Sequence, residues 1–326
     1  MRYLVFLLPL LLISCRENKP VKKLPKDLDS LIGIFPDSVE LLVKRGNMLL
    51  EVYKYDKAMA DGAKAFRLDS NNVEARLLFA EVLNNRPERK IDDIVSAQRH
   101  YDLIIKKDKK NLKALIGLAS TYSQLQDYEV SFKYINQVLR INPRYRNAYV
   151  LKGSNYLKLG KIELAKSSYE TAVQQDPDFY EAYIMLGALY QGEKNPICIE
   201  YYTTASELRP KDPDVLYSLA YAKQQFGKEE DAVRLYRKMI QIDTTYAEAL
   251  FQIGYIKQFV IGDLDSAIYY YNSAIVTEPR YVEAWHNMGL CYEDKGDKTR
   301  ALQSYAKALK YNPEFELSRK QADALR

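Results

Sequence analysis

The chain is 326 residues long, 47% hydrophobic and 28% charged, with a formal net charge of +5. Two histidines, His100 and His286, and three cysteines, Cys15, Cys198 and Cys291, are too few and too scattered for a metal cluster or a disulfide framework. There is no phosphate-cradling glycine loop, no His-Glu-x-x-His and no Gly-x-Ser-x-Gly, and the lysines gather at 19–26 and 106–110 rather than along a stripe. No cofactor, no nucleic-acid partner and no enzymatic activity are expected.

In chain order, the first element is MRYLVFLLPLLLISC, one positive charge at Arg2 ahead of an apolar run from Tyr3 to Ile13. The run is shorter than the ~20 apolar residues of a spanning helix and has the length of a signal-peptide core. Leu12-Ile13-Ser14-Cys15 resembles the lipobox of bacterial lipoproteins. That resemblance implies cleavage after Ser14 and a lipid on Cys15, which anchors the chain to a membrane. Residues 1–14 then form the signal peptide, and 15–27, charged and proline-bearing, a flexible tether. Bacterial lipoproteins of the enterobacterial type keep an aspartate after the cysteine when they stay on the inner membrane. Arg16 stands there instead, which points to the outer membrane, with the face left open. The alternative is an ordinary signal peptide in which Cys15 is incidental.

Leu28–Pro36 follows as a lone helix covering the N-terminal end of what comes next. Arg146–Phe179 and Val282–Phe315 then match at a single offset of 136 residues, four times 34. Tyr149/Trp285, Gly153/Gly289, Tyr156/Tyr292, Gly160/Gly296, Ala165/Ala301, Tyr169/Tyr305, Ala172/Ala308 and Pro177/Pro313 coincide. A fixed period of this length marks a tandem array. Each unit reads as two helices, A and B, joined by a short turn; in Arg146–Phe179 apolar residues at helical spacing run to Gly160, resume, and stop before Pro177. Small residues against tyrosines at fixed spacing are holes and knobs between packed helices.

Eight units follow from this spacing: 39–72, 73–111, 112–145, 146–179, 180–212, 213–246, 247–281 and 282–315. The second carries five extra residues in NNRPERKIDDIV, expected to lengthen its inter-helix turn. The fifth is one residue short near Gly192–Pro196, and the seventh one long near Val260–Gly262. Glu316–Arg326 reads as a capping helix, since a terminal repeat otherwise exposes its apolar stripe. Asp92 and Asp93 read as a solvated helix N-terminus, and Cys198 and Cys291, three units apart, as free buried thiols.

Trp285, Met288, Gly289, Tyr292, Ala301, Tyr305, Ala308 and Pro313 sit where the tetratricopeptide repeat places its signature, and the resemblance covers roughly Val39–Phe315. It implies an all-α, right-handed α-solenoid superhelix of eight helix-turn-helix units with capping helices at both ends. It also implies a concave wall of helix-A residues, with Val43, Asn47, Leu77, Glu81, Ile116, Ser120, Val150, Ser154, Ile184 and Ala188 in the first five units. The last three supply Tyr217, Tyr221, Phe251, Tyr255, His286 and Leu290, with Glu181, Asp214, Glu248 and Glu283 along the edge. Aromatic side chains beside an acidic margin suit an extended, partly basic peptide; the alternative is that these rings only support packing. Of the family's carboxylate clamp only Asn47 is present. The expected function is a non-enzymatic scaffold, a membrane-anchored envelope lipoprotein holding a protein or peptide segment. A regulatory adaptor of a cell-wall hydrolase or protease, or a cytosolic co-chaperone, are the alternatives.

Overall fold

A computed structural model describes residues 26–326; the expected signal peptide and the Cys15 lipid site lie outside them. Among the described residues the chain forms eighteen α-helices and one π-helical turn. They fall into two compact units, the first ending at Ala182 and the second running from Tyr183 to Arg326.

The first unit opens with α1 (Lys26–Ile34), whose buried Leu28 and Ile32 pack on Leu42 and Ala65. Four helix pairs follow: α2 (Val39–Glu51) with α3 (Tyr55–Leu68), α4 (Val73–Asn85) with α5 (Ile91–Lys107), α6 (Leu112–Gln124) with α7 (Tyr128–Ile141), and α8 (Arg146–Lys158) with α9 (Ile162–Gln175). Helix α10 (Tyr180–Gly192) begins in this unit and continues into the second. There it precedes α11 (Cys198–Leu208), α12 (Pro213–Gln225), α13 (Glu229–Ile242) and α14 (Ala247–Tyr255), which runs on into the π-helical turn Ile256–Ile261. The unit closes with α15 (Leu264–Thr277), α16 (Val282–Asp294), α17 (Lys298–Tyr311) and α18 (Glu316–Ala324).

Each pair is held by the small-against-large code of the sequence. Ala97, Ala165, Ala232, Ala267 and Ala301 are fully buried, as are Tyr169, Tyr236, Tyr271 and Tyr305. Burying each ring is worth about 2 kcal/mol, and for Tyr169, Tyr271 and Tyr305 it requires a glycine on the facing helix, whereas Tyr236 shares its cluster with Ala220. A Cβ on Gly289 would stand 2.5 Å from Tyr305 Cε1, and one on Gly254 2.8 Å from Tyr271 Cδ1. The phenol groups are satisfied at the end of helix A in the same pair. Tyr202 donates to Gln191 at 2.9 Å, Tyr236 to Gln224 at 3.0 Å, Tyr271 to Gln258 at 2.8 Å and Tyr305 to Glu293 at 2.7 Å. A buried hydroxyl left unpaired would cost roughly 1–3 kcal/mol.

The signature aromatic early in helix A reaches back to the preceding proline. Trp285 Nε1 donates to the Pro279 carbonyl at 3.0 Å and the Tyr149 hydroxyl to that of Pro143 at 2.9 Å.

The irregular units resolve differently from the simple expectation of longer or shorter turns. The five extra residues of 73–111 divide between a turn spanning 86–90 and a helix α5 of 17 residues, where α7 and α9 have 14. Asp93 fixes that start: its carboxylate accepts the Lys90 amide at 2.7 Å and the Arg86 guanidinium, which holds its pKa below the ordinary carboxylate value. In the fifth unit, α11 has only 11 residues, and Pro196 and Ile197 form a turn ahead of it. In the seventh the helix does not end early or loop out; it widens into the π-helical turn.

Candidate binding site

The second unit gathers the predicted aromatic residues on the helix-A side of α12 and α14. Tyr217 and Tyr221, one turn apart on α12, are stacked at 6.1 Å between ring centroids and 5° between planes. Tyr217 also leans on the buried Tyr236 at 5.8 Å. On α14, Phe251 lies 5.6 Å from Tyr271 and 4.9 Å from Tyr281, and Tyr255 lies 4.7 Å from Phe259. All four predicted rings pack against neighbouring rings and keep only part of their surface exposed. They are therefore anchored by packing and still available for contact, which joins the two readings the sequence left apart.

A chain of hydrogen bonds fixes Tyr217. Tyr236 donates to Gln224, Gln224 Nε2 to Gln252 Oε1 at 3.2 Å, and Gln252 Nε2 to the Tyr217 oxygen at 3.2 Å. Because that oxygen accepts, its own proton is left to be donated outward. Burial pushes the Tyr217 pKa up to about 12, with Tyr221 and Glu248 adding to the rise and the Gln252 bond opposing it. The phenol thus stays a neutral donor at ordinary pH. Tyr255 is likewise raised, by burial and then by Tyr221.

Asp214, Glu248 and Glu283 are exposed, and among the described residues none is paired with a cation. Each stands in the first turn of its helix, where a carboxylate is favoured by the helix dipole. Three free carboxylates beside half-open rings make a face that attracts ammonium and guanidinium groups.

Two expected wall residues and one expected edge residue are placed elsewhere. His286 is only 7% exposed: Nδ1 lies 3.0 Å from Ser318 Oγ on α18, and the ring packs 5.6 Å from Tyr305 and 5.4 Å from Phe315. The terminal helix covers it, and burial drops its pKa to about 4. Leu77, 2% exposed, belongs to the core with Ala80, Leu83 and Tyr101. Glu181 falls in the first unit, is partly buried and has an interaction of its own, so it is not a free carboxylate.

Two site residues were missed. Tyr281, in the turn before α16, covers Phe251. Its signal was present: five of the eight units close on an aromatic, at Tyr145, Phe179, Tyr246, Tyr281 and Phe315. Phe259 was missed because the one-residue excess near Val260–Gly262 does not show from the sequence that the helix widens there.

Elsewhere, Cys198 and Cys291 are buried free thiols whose pKa burial raises, for Cys291 to about 12. Among the described residues no group of three His, Cys, Asp or Glu side chains is placed to hold a metal. No helix among them is long and apolar enough to cross a membrane. A cleft of about 380 Å³ in the first unit carries Arg144 and Arg146, but Arg146 is bound to Asp176 and stacked on Phe179.

Tandem helix pairs on a 34-residue period, with rings packed against small residues of the facing helix, define a class of helical repeat arrays that present extended surfaces. Family models of the tetratricopeptide repeat match residues 112–145, 147–179 and 282–315, so these three stretches are tetratricopeptide repeats. It is similar to human tetratricopeptide repeat protein 6, 28% identical over 202 residues, 61% of this chain and 38% of that one. It is also similar to Hsp70-Hsp90 organizing protein 1 of Glycine max, 23% identical over 94% of this chain and 47% of that one. The chain thus spans less than half the length of these curated relatives. Among solved structures, the C-terminal part of a repeat-containing protein from Cytophaga hutchinsonii shares the fold, with a TM-score of 0.62 and 19% identity over 75% of this chain and 98% of that one.

Proposed function

We propose that this protein is a non-enzymatic scaffold whose second unit holds an extended segment of another protein against α12 and α14. A tetratricopeptide-repeat array is suited to protein–protein interaction, and the finer reading concerns what it holds. The observation that carries it is the open row Tyr217, Tyr221, Phe251 and Tyr255 beside the unpaired Asp214, Glu248 and Glu283. Rings recognise a peptide by stacking, the Tyr217 hydroxyl by donating to a carbonyl, and the carboxylates by attracting lysine or arginine. A partner presenting a free C-terminal carboxylate fits this face poorly, because the margin is acidic.

The leader sequence supports the second half of the proposal: a lipid on Cys15 tethers the array to a bacterial membrane, outer rather than inner by Arg16, and the partner is an envelope protein. The test is in-cell crosslinking from photo-reactive residues at Tyr221 and Tyr255, with mass spectrometry of the adducts. One dominant envelope protein, lost on Tyr217→Ala, is the expected result. Adducts only to lipid or to the chain itself would overturn the site. A Cys15→Ser variant that fractionates like the parent would overturn the anchor and leave the binding face standing.

A further inference from the structure

Repeat seven departs from its neighbours in one respect. From the first residue of helix A to the glycine that closes it, Pro213 to Gly227 and Val282 to Gly296 each span 14 steps, whereas Ala247 to Gly262 spans 15. All three glycines hold positive φ, of 70°, 77° and 78°, so the closures are equivalent and the additional residue lies inside the helix. It is absorbed in the π-helical turn Ile256–Ile261. Such turns add a residue without ending the helix, and they concentrate at functional sites.

The turn is fixed on its inner side. Gln258 is buried and its Oε1 accepts the Tyr271 hydroxyl at 2.8 Å. The Asp263 amide donates to the Lys257 carbonyl at 2.8 Å, and the Lys257 ammonium lies 4.0 Å from the Asp263 carboxylate. With those residues held, Phe259 rests on Tyr255 at 4.7 Å, and Phe259, Val260 and Ile261 are 49%, 52% and 57% exposed. The equivalent closures of the neighbouring repeats read Gln225-Phe226-Gly227 and Asp294-Lys295-Gly296. One exposed apolar side chain is ordinary. Three in succession on an anchored turn, continuous with Tyr255, form a contact patch.

We propose that this turn is an apolar seat of the same binding face, taking a bulky aliphatic or aromatic side chain from the partner segment whose cationic residue lies by Glu248. The inference rests on the reading given under Proposed function. Charge selects a polypeptide over a bilayer as the occupant. Among the described residues, Lys257 of the turn is paired with Asp263 and Lys295 with Asp265, so neither ammonium is free for lipid headgroups. The unpaired charges of the face are the carboxylates, which favour a segment that is both apolar and basic. The additional residue of repeat seven is thus a specificity device: it extends the row of rings from Tyr221 and Tyr255 to Phe259 and adds two aliphatic contacts.

The test uses an array of short synthetic peptides in which one leucine and one arginine occupy every separation in a glycine–serine background, probed with the full chain. The parent is expected to need both residues at a preferred separation. Val260→Ser with Ile261→Ser should weaken binding about tenfold, the loss of one apolar anchor, and abolish the leucine requirement while the arginine requirement persists. Both side chains are half-exposed, so the melting curve should stay in place. A double variant that keeps the leucine requirement would overturn the seat and leave the aromatic face intact. Arginine-independent binding that Tyr221→Ala with Tyr255→Ala leaves unchanged would overturn the face itself. If the parent floats with phospholipid vesicles and the Val260/Ile261 variant does not, the turn is a lipid contact and the proposal falls.

Discussion

In the first unit successive A helices meet directly, α2 on α4, α4 on α6 and α6 on α8, over a polar seam. Asn84 Nδ2 donates to Ser120 at 3.1 Å and Gln124 Nε2 to Asn84 Oδ1 at 3.0 Å. Deeper, Ser123 donates to Asn155, whose Nδ2 donates to Ser131 at 2.8 Å, which in turn donates to the Ala119 carbonyl at 2.7 Å. These groups satisfy one another. In the second unit α12 and α14 are bridged instead by Gln224, Gln252 and Tyr217, and rings take the open positions. One repeat therefore carries two surface chemistries, because the glycine, alanine and tyrosine that lock helix A to helix B leave the other side of helix A free to vary. Packing residues define the array, and the free side defines its partner.

The comparison can be broken most severely at the lock itself. Gly289→Leu should cost about 3 kcal/mol, the upper end of overpacking, because Tyr305 is buried and tied to Glu293 and has nowhere to move. A denaturant melt that does not shift would show the helix register to be wrong. Next comes acid. His286 is held neutral when folded, with a pKa near 4 against an ordinary 6.5. As pH falls the unfolded chain takes up the proton first, so stability is complete above about pH 6.5 and declines toward pH 4. Between about pH 7 and pH 5 the loss should be about 2 kcal/mol. The same titration of His286→Asn should lack that step, and an identical slope in both would remove His286 as its cause.

The polar seam sharpens the contrast at smaller scale. Asn155→Ala removes the side chain linking Ser123 to Ser131 and should cost about 1–2 kcal/mol by thermal melting. Smallest of all, Tyr221→Ala with Tyr255→Ala should change stability by less than about 1 kcal/mol, since both rings are half-open. A large destabilisation would assign those rings to packing rather than recognition.

How much of this was legible follows from the same division. The period, the helix pairing and the ring-into-glycine contacts are local and recur, so Gly289 facing Tyr305 could be read from spacing alone. Tyr217, Tyr221, Phe251 and Tyr255 were legible because their register on helix A is fixed by the repeat. His286 occupies the same register as Phe251, yet it is buried by Ser318 and Phe315, and nothing within its own helix shows that α18 folds over it. Leu77 failed for a related reason: it shares a buried cluster with Ala97 and Tyr101 of α5 and Ala114 and Leu118 of α6, neighbours that its own helix does not reveal. The additional residue of repeat seven was visible as a count, but a count does not say whether it loops out or widens the helix. That depends on Gln258 finding the Tyr271 hydroxyl.

Trp285 is the single tryptophan among 28 tyrosines, clamped to the Pro279 carbonyl in the second unit. Light absorbed by the indole is consequently re-emitted from one place only. A fluorescence melt excited at the indole edge follows the second unit, while circular dichroism sums the helices of both. Any separation between the two curves would be an optical signature of the units opening in sequence, obtained without a label.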